Sequence, residues 1–584
     1  MRIRAALGVL ILSITAFAAR PPVKAKRPPL TADQRAAQAI MRSMSLRDRV
    51  AQLVIGVCYG EAPGKKTKLY ETYRKWVRDL HIGGLIVNNR VRNGLVQNAE
   101  PHAMALFLNQ MQKLSKTPLI VGGDFERGAS MRVSAGARFP YNMALGAAGD
   151  VGDARYEGMA TAREARALGV HWIFAPVADV NNNPDNPVIN IRSFGENPEQ
   201  VSRFVNAYIE GARSDPKNRV LVTVKHFPGH GDTNVDSHLG LPRVGASKDR
   251  MDAVELKPFQ AAIASGVDAV MTAHLAVPAI EPDDIPATAS AKVLTGLLRE
   301  ELKFNGIIVT DAMDMAGFES QFNSSNGSVR AIEAGADVLL MPRDPAQAIR
   351  GVVAAVESGR ISRQRIDDSV MRILAAKIRV GVIKKKTVDL DEISDALDTP
   401  EDDDRAQQMS DRAVTLLRNE RGLLPLTPNQ ACMVVAVERR LSQYGQRMSA
   451  EFRQRAPGAK ITIVDSSMPL RALMDDVGDT GACSSLTIAV FLAGGSLSGD
   501  VMTFIDGLTN GPVPTALVAM GSPYIVTKFP KVTAYLSTFS PTQPSEVSAV
   551  KALFGEIPIT GHSPVTIPGF GQIGDGLQLS ARSR

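Results

Sequence analysis

The sequence predicts a parallel α/β barrel followed by a smaller α/β domain. Between residues 53 and 342, eight short apolar, β-branched segments alternate with amphipathic helical patterns. Continuous apolar strands separated by helices are typical of a parallel sheet whose faces are covered by helices. Beyond residue 400 the alternation resumes with five further strand candidates. At 584 residues the chain is long enough for two or more domains.

The eight strand candidates match a (β/α)8 TIM-type barrel in number and spacing. They are the segments 53–57, 84–88, 119–124, 172–180, 220–227, 269–275, 307–313 and 338–342. Helical patterns lie between them at 101–113, 156–168, 199–213, 250–264 and 345–357. A doubly wound open sheet is the alternative, and the count of eight favours the barrel. The second domain is expected to be an α/β sandwich.

The N-terminus reads as an export signal. Arg2 and Arg4 precede an apolar stretch that begins at Ala5, and small residues follow, as a signal peptidase requires. An uncleaved membrane anchor is the alternative. We therefore expect an exported protein, periplasmic or secreted, with no stable membrane span after cleavage. The predicted units are a signal peptide (1–19), a linker (20–31), the barrel (32–385), a charged linker (386–405) and the second domain (406–584).

Charge and cysteine content narrow the possible partners. The formal net charge is +7, but no basic run interleaved with aromatic residues accompanies it, which disfavours nucleic acid. Cys58, Cys432 and Cys483 are too few and too scattered for a disulfide framework or a structural zinc site. We expect buried free thiols, with a Cys432–Cys483 bridge as the alternative. A monomer or a dimer is expected, without a cofactor.

Charged side chains stand at or near the ends of five strand candidates. In barrel enzymes the carboxyl ends of the strands meet at the rim that carries the active site. The sequence therefore predicts a polar site at this rim. Its members are Asp124, Asp179, Lys225, His226, His274 and Asp311.

The segment 225–242, KHFPGHGDTNVDSHLGLP, carries the strongest chemical signal. Its glycines and proline predict a loop that could place Asp236 and His238 on the same side. A carboxylate beside an imidazole fixes its tautomer and makes a proton donor and acceptor near neutral pH. From spacing alone, a metal site or simple structural histidines remain alternatives.

This segment resembles the signature loop of family 3 glycoside hydrolases of the β-N-acetylglucosaminidase type, with K-H-F-P-G-H-G continuing into D-S-H. The resemblance covers residues 32–385, and the second domain resembles the family's α/β sandwich more loosely, through 413–426. Further similar segments follow in the family's order, at 122–128, 174–180, 190–196, 271–274, 306–313 and 334–342.

The resemblance implies a retaining mechanism. Asp311 would be the nucleophile, and His238, paired with Asp236, would be the acid and base. His274 is expected to line the pocket, with packing beneath it as the alternative. The positions that match sugar-hydroxyl contacts of the family are Asp124, Arg192, Lys225 and His226.

Other motif members are expected to have structural roles. His230 would brace the loop, Asp179 would orient Arg192 or Lys225, and Glu126 would pair with a neighbouring arginine. The family's sugar-binding turn often reads D-x-E-G-G, whereas this chain has Arg127 at the fourth position. We expect Arg127 to alter the pocket rim and the choice of leaving group.

The resemblance predicts an exo-acting β-N-acetylhexosaminidase that releases terminal N-acetylglucosamine from β-linked oligosaccharides, either peptidoglycan fragments or chitooligosaccharides. A β-glucosidase and a phosphorolytic enzyme are the alternatives within the family. Outside it, the alternatives are a sugar-binding protein without activity and a metal-dependent barrel hydrolase that would use His226, His230 and Asp311.

Overall fold

A computed structural model describes residues 30–582, apart from positions 61, 93, 94, 398, 440, 441 and 495. The predicted signal peptide and most of the first linker lie outside the described residues. The chain forms an eight-stranded α/β barrel followed by a domain built on a separate six-stranded sheet. The predicted fold class is therefore confirmed. None of the described helices combines the length and apolar character needed to span a membrane.

The barrel strands follow one another around the ring in chain order. They are β1 (Val54–Tyr59), β2 (Gly84–Asn88), β3 (Ile120–Gly123), β4 (Trp172–Ile173), β5 (Leu221–Phe227), β6 (Ala269–Thr272), β7 (Ile307–Val309) and β8 (Leu339–Leu340). Strand β8 pairs in parallel with β1, and a parallel bridge between Val309 and Val338 closes the ring between β7 and β8. A short ribbon, Arg90–Arg92 with Leu95–Gln97, follows β2.

Several strands are shorter at their carboxyl ends than the sequence predicts. The segment 172–180 holds only the two residues of β4, and β7 ends at Val309 rather than Met313. The backbone leaves the parallel ladder at the barrel mouth, where the polar side chains stand. Asp179, His274 and Asp311 consequently lie in the loops just beyond the paired residues.

Helices alternate with the strands in both domains. Ser247, Asn197 and Asp344 each cap a barrel helix by accepting a hydrogen bond from a backbone N–H in its first turn. The predicted helix 250–264 is divided into two. The barrel helices are Ala32–Arg42, Leu46–Ala51, Lys68–Arg74, Pro101–Leu114, Asn142–Ala148, Val151–Ala167, Pro198–Ala212, Lys248–Ala253, Lys257–Ala264, the π-helical Lys292–Glu301, Ala316–Glu319, Ser324–Ala334, Pro345–Glu357 and Arg363–Arg379.

The second domain is an open sheet covered on both faces. Alternate residues of β10 belong to two separate apolar cores, Val435 to one and Val434 to the other. The strands are β9 (Thr415–Asn419), β10 (Ala431–Val437), β11 (Lys460–Asp465), β12 (Ser485–Leu492), β13 (Thr515–Gly521) and β14 (Ala534–Ser537), in the order β9-β14-β13-β12-β10-β11. Among the described strands of this sheet, only β9 is antiparallel to its neighbour. The helices are Gln446–Arg455, Leu470–Val477, Gly499–Thr509 and Gln543–Leu553.

Cys432 and Cys483 form a disulfide, so the expectation of free thiols at these positions was wrong. Strands β10 and β12 are neighbours, with Cys432 opposite Leu486, which brings Cys483 beside Cys432. This proximity depends on a strand pairing that residue spacing alone does not reveal. Cys58 is a buried free thiol, as expected.

The charged segment 386–405 is partly helical and joins the domains. It contains the helix Ile393–Ala396 and the first turns of Pro400–Ala413. Arg405 and Arg412 of the second helix donate to the buried carboxylate of Asp153 on the barrel, over 2.9 and 2.6 Å. These ion pairs hold the second domain against the barrel.

Candidate active site

A cavity of about 670 Å³ opens where the barrel strands end. The side chains of Asp124, Lys225, His226, His238 and Asp311 all line it. All of the cavity-lining residues in the described part of the chain belong to the barrel. The cavity therefore brings together the polar residues that the sequence assigns to the strand ends.

Asp236 and His238 form a pair on the loop after β5. His238 Nδ1 lies 2.7 Å from Asp236 Oδ1, and the backbone N–H of His238 donates to the same oxygen over 2.8 Å. Because a carboxylate only accepts hydrogen bonds, Nδ1 is the donor and Nε2 is left to exchange a proton with another molecule. The His238 side chain is 58% exposed, so Nε2 is accessible from solvent.

His230 braces this loop from inside. Its Nδ1 lies 2.8 Å from Thr233 Oγ1 and its Nε2 lies 3.0 Å from Ser237 Oγ. Burial lowers the pKa of His230 to about 4, so the ring is neutral, with one donor and one acceptor nitrogen. Gly317 N–H also donates to the Ser237 carbonyl over 3.1 Å. Both contacts are made by Ser237, so the loop is held at the residue between Asp236 and His238.

Four charged side chains form an interlocking group that we term the ionic clamp: Asp124, Glu126, Arg192 and Lys225. Lys225 Nζ lies 2.8 Å from Asp124 Oδ1 and 2.7 Å from Glu126 Oε1. Arg192 grips both oxygens of Glu126, over 3.0 and 2.7 Å, which is the expected pairing of Glu126 with an arginine. Bidentate pairs of this kind fix side-chain geometry strongly.

The clamp is ionised at neutral pH. Burial disfavours charge on Glu126, but Arg192 and Lys225 outweigh it and hold the pKa of Glu126 well below its usual value. The pKa of Asp124 is lowered in the same way, against burial, by Lys225 and Arg132. Both carboxylates are therefore charged acceptors, with rigid cationic donors beside them.

Asp179 orients His226, not Arg192 or Lys225 as the sequence suggested. Its Oδ2 lies 2.7 Å from His226 Nδ1, and its Oδ1 accepts from the backbone N–H of His230 over 2.7 Å. Arg192 Nη2 donates to His226 Nε2 over 3.3 Å. His226 is thus the Nδ1-protonated tautomer, assigned from its neighbours. The Asp179 carboxylate reaches His226 because it lies beyond the end of β4, which is next to β5 in the barrel.

Asp311 lies just beyond β7, half-buried at the cavity wall. Its Oδ1 accepts from the backbone N–H of Ala312 over 2.7 Å, and no hydrogen bond to Oδ2 is seen among the described residues. The loop after β5 is anchored to the same segment, through Gly317. Asp311 and His238 both line the cavity.

The comparison with protein families shows which family the chain belongs to. The chain matches the glycosyl hydrolase family 3 N-terminal domain over residues 45–376. The chain belongs to glycoside hydrolase family 3. It is a glycoside hydrolase.

Relatives of the family 3 chain resemble it over most of their length. It is 28% identical over 516 residues to a "Beta-N-acetylglucosaminidase/beta-glucosidase" of Cellulomonas fimi, covering 84% of this chain and 89% of the relative. It is 32% identical over 433 residues to "Beta-hexosaminidase A" of Pseudoalteromonas piscicida, covering 69% of each. A solved family 3 β-N-acetylglucosaminidase from Paenibacillus sp. str. FPU-7 superposes with a TM-score of 0.78 at 33% identity, covering 90% of this chain and 99% of that one.

His274 does not line the cavity of this family 3 enzyme, contrary to its expected substrate-binding role. It is fully buried, its Nε2 lies 3.0 Å from the Ala312 carbonyl, and its Nδ1 lies 2.9 Å from Thr288 Oγ1. Its ring stacks on Phe318, with centroids 4.8 Å apart. His274 therefore supports the backbone beside Asp311 from below, which is the alternative the sequence left open.

Arg127 also differs from its expected place. It is absent from the described rim of the main cavity, and its guanidinium carbon lies 4.9 Å from the centroid of the Tyr141 ring. The side chain extends behind the ionic clamp because Glu126, its neighbour in the chain, points into the cavity. Arg127 is therefore in no position to shape the mouth of the pocket directly.

The residues proposed for a metal site are otherwise engaged in this family 3 enzyme. His226 is held by Asp179 and Arg192, and both ring nitrogens of His230 face side-chain hydroxyls. In the described part of the chain, His, Cys, Asp and Glu form no group of three or more suited to a metal ion. The donor set does not fit the metal-dependent alternative.

Sequence reasoning missed Arg132 and Ser237. Arg132 donates to Asp124 Oδ2 over 3.3 Å and to Asn89 Oδ1 over 3.2 Å, so it joins the clamp to the loop after β2. The sequence offered one signal for Arg132, a cationic residue eight positions after Asp124. Ser237 lies between Asp236 and His238, and nothing in the sequence shows that its hydroxyl faces His230.

Proposed function

We propose that this chain is an exo-acting β-N-acetylhexosaminidase that releases terminal non-reducing N-acetylglucosamine with retention of configuration. The observation that carries the proposal is the Asp236–His238 pair, which shares the cavity with Asp311. A histidine held by a carboxylate supplies both proton transfers of a retaining mechanism. The names of the relatives from Cellulomonas fimi and Paenibacillus support the N-acetyl sugar, and that of the Pseudoalteromonas piscicida relative supports a hexosaminidase.

In the first step, Asp311 Oδ2 attacks the anomeric carbon while His238 gives its Nε2 proton to the departing glycosidic oxygen. The bond from carbon to that oxygen breaks as the bond to Asp311 forms, and an alcohol leaves. Asp236 stabilises the imidazolium that donates. Because Ala312 N–H holds Asp311 Oδ1, the attacking oxygen is already positioned.

In the second step, His238 Nε2 takes a proton from water as the water oxygen attacks the anomeric carbon. The bond to Asp311 breaks and the carboxylate is restored. The sugar leaves with its original β configuration because two displacements occur. His238 is then protonated again and ready for the next leaving group.

The ionic clamp is the proposed site for the sugar hydroxyls. A hydroxyl both donates and accepts, so carboxylate acceptors beside cationic donors satisfy it on both counts. The hydrogen bonds within the clamp orient these groups before the sugar arrives, which reduces the entropy lost on binding. His226 lies against Arg192 and belongs to the same surface.

The proposed substrates are β-linked oligosaccharides that end in N-acetylglucosamine, from peptidoglycan turnover or from chitin, and the proposed location is outside the cytoplasm. The Cys432–Cys483 disulfide supports export, since disulfides persist mainly in oxidising compartments. The segment 1–19 supports it independently, through its basic start and apolar stretch.

A second candidate is β-glucosidase activity, which the printed name of the Cellulomonas fimi relative includes. Phosphate in place of water is a further variant, because a neutral imidazole repels an anion less than a carboxylate does. Both can be tested with the same substrates.

The deciding assay compares nitrophenyl β-N-acetylglucosaminide with nitrophenyl β-glucoside, with and without phosphate and with chelator present. We expect a preference for the N-acetyl sugar that Asp311→Ala abolishes. A preference for the glucoside would replace the proposal with the second candidate. A glycosyl phosphate product would show that phosphate, and not water, is the acceptor. Full activity in Asp311→Ala would overturn the mechanism.

A further inference from the structure

Behind the ionic clamp lies a second, smaller cavity, of about 80 Å³, which we term the rear cavity. It shares one wall with the main cavity, since Glu126, Met131 and Arg192 line both. The rest of its lining comes from Arg127, Tyr141 and Asn142. It thus places Arg127, the departure from the family's D-x-E-G-G turn, directly behind the groups proposed to hold the sugar.

Arg127 is a cation without a counter-charge in contact. Among the described residues it forms no ion pair, and its buried Nε has no hydrogen-bond partner. Its guanidinium carbon lies 4.9 Å from the centroid of the Tyr141 ring, which accepts a cation on its face but carries no net charge. Against the effect of burial, Tyr141, Tyr444 and Glu126 raise the pKa of Arg127. A cation withdrawn from water in this way is costly unless an anion accompanies it.

Arg192 presents a second donor to the same space. Its guanidinium has five N–H donors. Glu126 accepts two of them, the Val188 carbonyl accepts one and His226 Nε2 accepts one. One N–H on Nη1 of Arg192 remains for another acceptor.

The lining of the rear cavity holds two guanidinium groups, those of Arg127 and Arg192, and one carboxylate, that of Glu126. The remaining buried carboxyl group toward Arg127 is Glu157, and burial raises its pKa well above its usual value despite Arg127. Burial therefore opposes ionisation of Glu157, the carboxyl group that would otherwise balance Arg127.

The rear cavity has the size and polarity for a small hydrated ion. At roughly 30 Å³ for each water-sized particle, it holds about two. Asn142 is 3% exposed and its Oδ1 has no hydrogen-bond partner in the described protein, while its Nδ2 donates to the Arg192 carbonyl over 2.7 Å. A monovalent ion beside the guanidinium groups, with one water that donates to Asn142 Oδ1, satisfies these atoms together.

We propose that the rear cavity binds a small monovalent anion of chloride size between Arg127 and Arg192. The anion neutralises Arg127 and holds Arg192 in the orientation that grips Glu126. Because the clamp binds sugar and does not exchange protons, the anion lowers KM and leaves kcat unchanged.

Chloride binding is measured directly by chlorine-35 NMR line broadening, which needs no substrate. We expect excess broadening in the wild type that Arg127→Gln removes. Arg138→Gln is the matched control, because Arg138 is exposed and bonds Gln543 of the second domain; it should keep the broadening. Equal broadening in the wild type and Arg127→Gln would overturn the proposal.

A second variant keeps the proposal testable if Arg127→Gln does not fold. Asn142→Asp retains Arg127 but puts a carboxylate in the cavity wall, so it should expel chloride and lose the broadening. In the wild type, replacing gluconate by chloride at constant ionic strength should lower KM for the nitrophenyl N-acetylglucosaminide roughly fivefold. Chloride binding retained in Asn142→Asp, or a wild-type KM independent of chloride, would contradict the proposal.

Discussion

At the residue scale, the proposed proton donor is a histidine where most retaining glycosidases use a second carboxylic acid. Asp236 holds Nδ1 of His238 and leaves Nε2 in the solvent-accessible part of the cavity. The positive charge of a protonated imidazole is stabilised by that carboxylate.

His238→Ala should slow hydrolysis most for substrates that need a proton on the leaving oxygen. We expect kcat/KM for an N-acetylglucosamine disaccharide to fall by about 10²–10⁴, the usual contribution of a general acid, and to fall less for a dinitrophenyl glycoside. Steady-state kinetics on both substrates checks this. His102→Ala, at an exposed histidine outside the cavity, is the control. An equal loss on both substrates would argue against acid catalysis by His238.

His230 makes the stability of the enzyme depend on pH. Its pKa falls on folding from 6.5 to about 4, because burial disfavours the charged ring. The unfolded chain therefore binds a proton below about pH 6.5 that the folded chain does not bind until about pH 4. The free energy of unfolding should decrease over this interval as the pH falls, by on the order of 3 kcal/mol.

Urea titrations of the wild type and His230→Gln between pH 7 and pH 4 measure this contribution. The variant should be less stable at pH 7, because two hydrogen bonds to the loop change, but its stability should decline less toward pH 4. Parallel pH profiles for both proteins would show that His230 is not the titrating group.

At the element scale, the loop after β5 is held against the short helix Ala316–Glu319. A Cβ atom added to Gly317 would lie 2.8 Å from the Ser237 carbonyl oxygen and 2.7 Å from that of Gly240. These are backbone atoms of the loop that carries His238. The loop has to move if this glycine is replaced.

Gly317→Ala should therefore lower kcat about tenfold or more, because a displacement of even 1 Å misplaces the proton donor. KM should change less, since the ionic clamp lies on other strands. Gly507→Ala is the control: Gly507 lies in the helix Gly499–Thr509 of the second domain and has open space around it. A normal kcat in Gly317→Ala would mean that the loop position is not critical.

The helices and strands were predicted from the sequence more accurately than the residues at which they end or the contacts that they make. Apolar runs located all eight barrel strands, because burial demands such residues wherever helices cover a sheet. Their carboxyl ends were set too late, since Thr310 and Asp311, which follow the apolar run Ile307–Val309, already lie in a loop. Five strand candidates were predicted for the second domain, and its sixth strand, the edge strand β9, was missed because the helix Pro400–Ala413 directly precedes it.

Residue spacing alone could not predict contacts between segments that are far apart in the sequence. The positions of Asp236 and His238 two residues apart predicted their pairing, because a local turn suffices for it. The partner of Asp179 and the burial of His274 depend on how neighbouring barrel strands are staggered. The Cys432–Cys483 bridge likewise follows from the pairing of β10 with β12.

At the scale of the whole molecule, the chemistry and the second domain are separable. The described lining of the main cavity comes from the barrel alone, whereas the disulfide lies within the second sheet domain. The domains meet at Asp153, which accepts from Arg405 and Arg412, and also at the segment that carries Arg192, where Asn190 donates to Ser522 Oγ and Thr566 donates to Glu196. Changes inside the second domain should affect stability before they affect turnover.

Cys483→Ser should lower the stability of the second domain by about 2–4 kcal/mol, because the bridge closes a loop spanning a sequence separation of 51 residues. Differential scanning calorimetry measures the shift. At temperatures below the unfolding transition of the variant, kcat for the nitrophenyl N-acetylglucosaminide should equal that of the wild type. A large fall in kcat at a temperature where the variant is folded would show that the second domain shapes the active site.

The most direct test of the mechanism is to trap the glycosyl-enzyme. A 5-fluoro N-acetylglucosaminyl fluoride should label the protein once, and mass spectrometry of the digested protein should place the label on the peptide that contains Asp311. Asp311→Ala should not be labelled. A label on any other residue, or turnover of a β-glycoside to an α-configured product, would contradict the account of Asp311 as the nucleophile of a retaining enzyme.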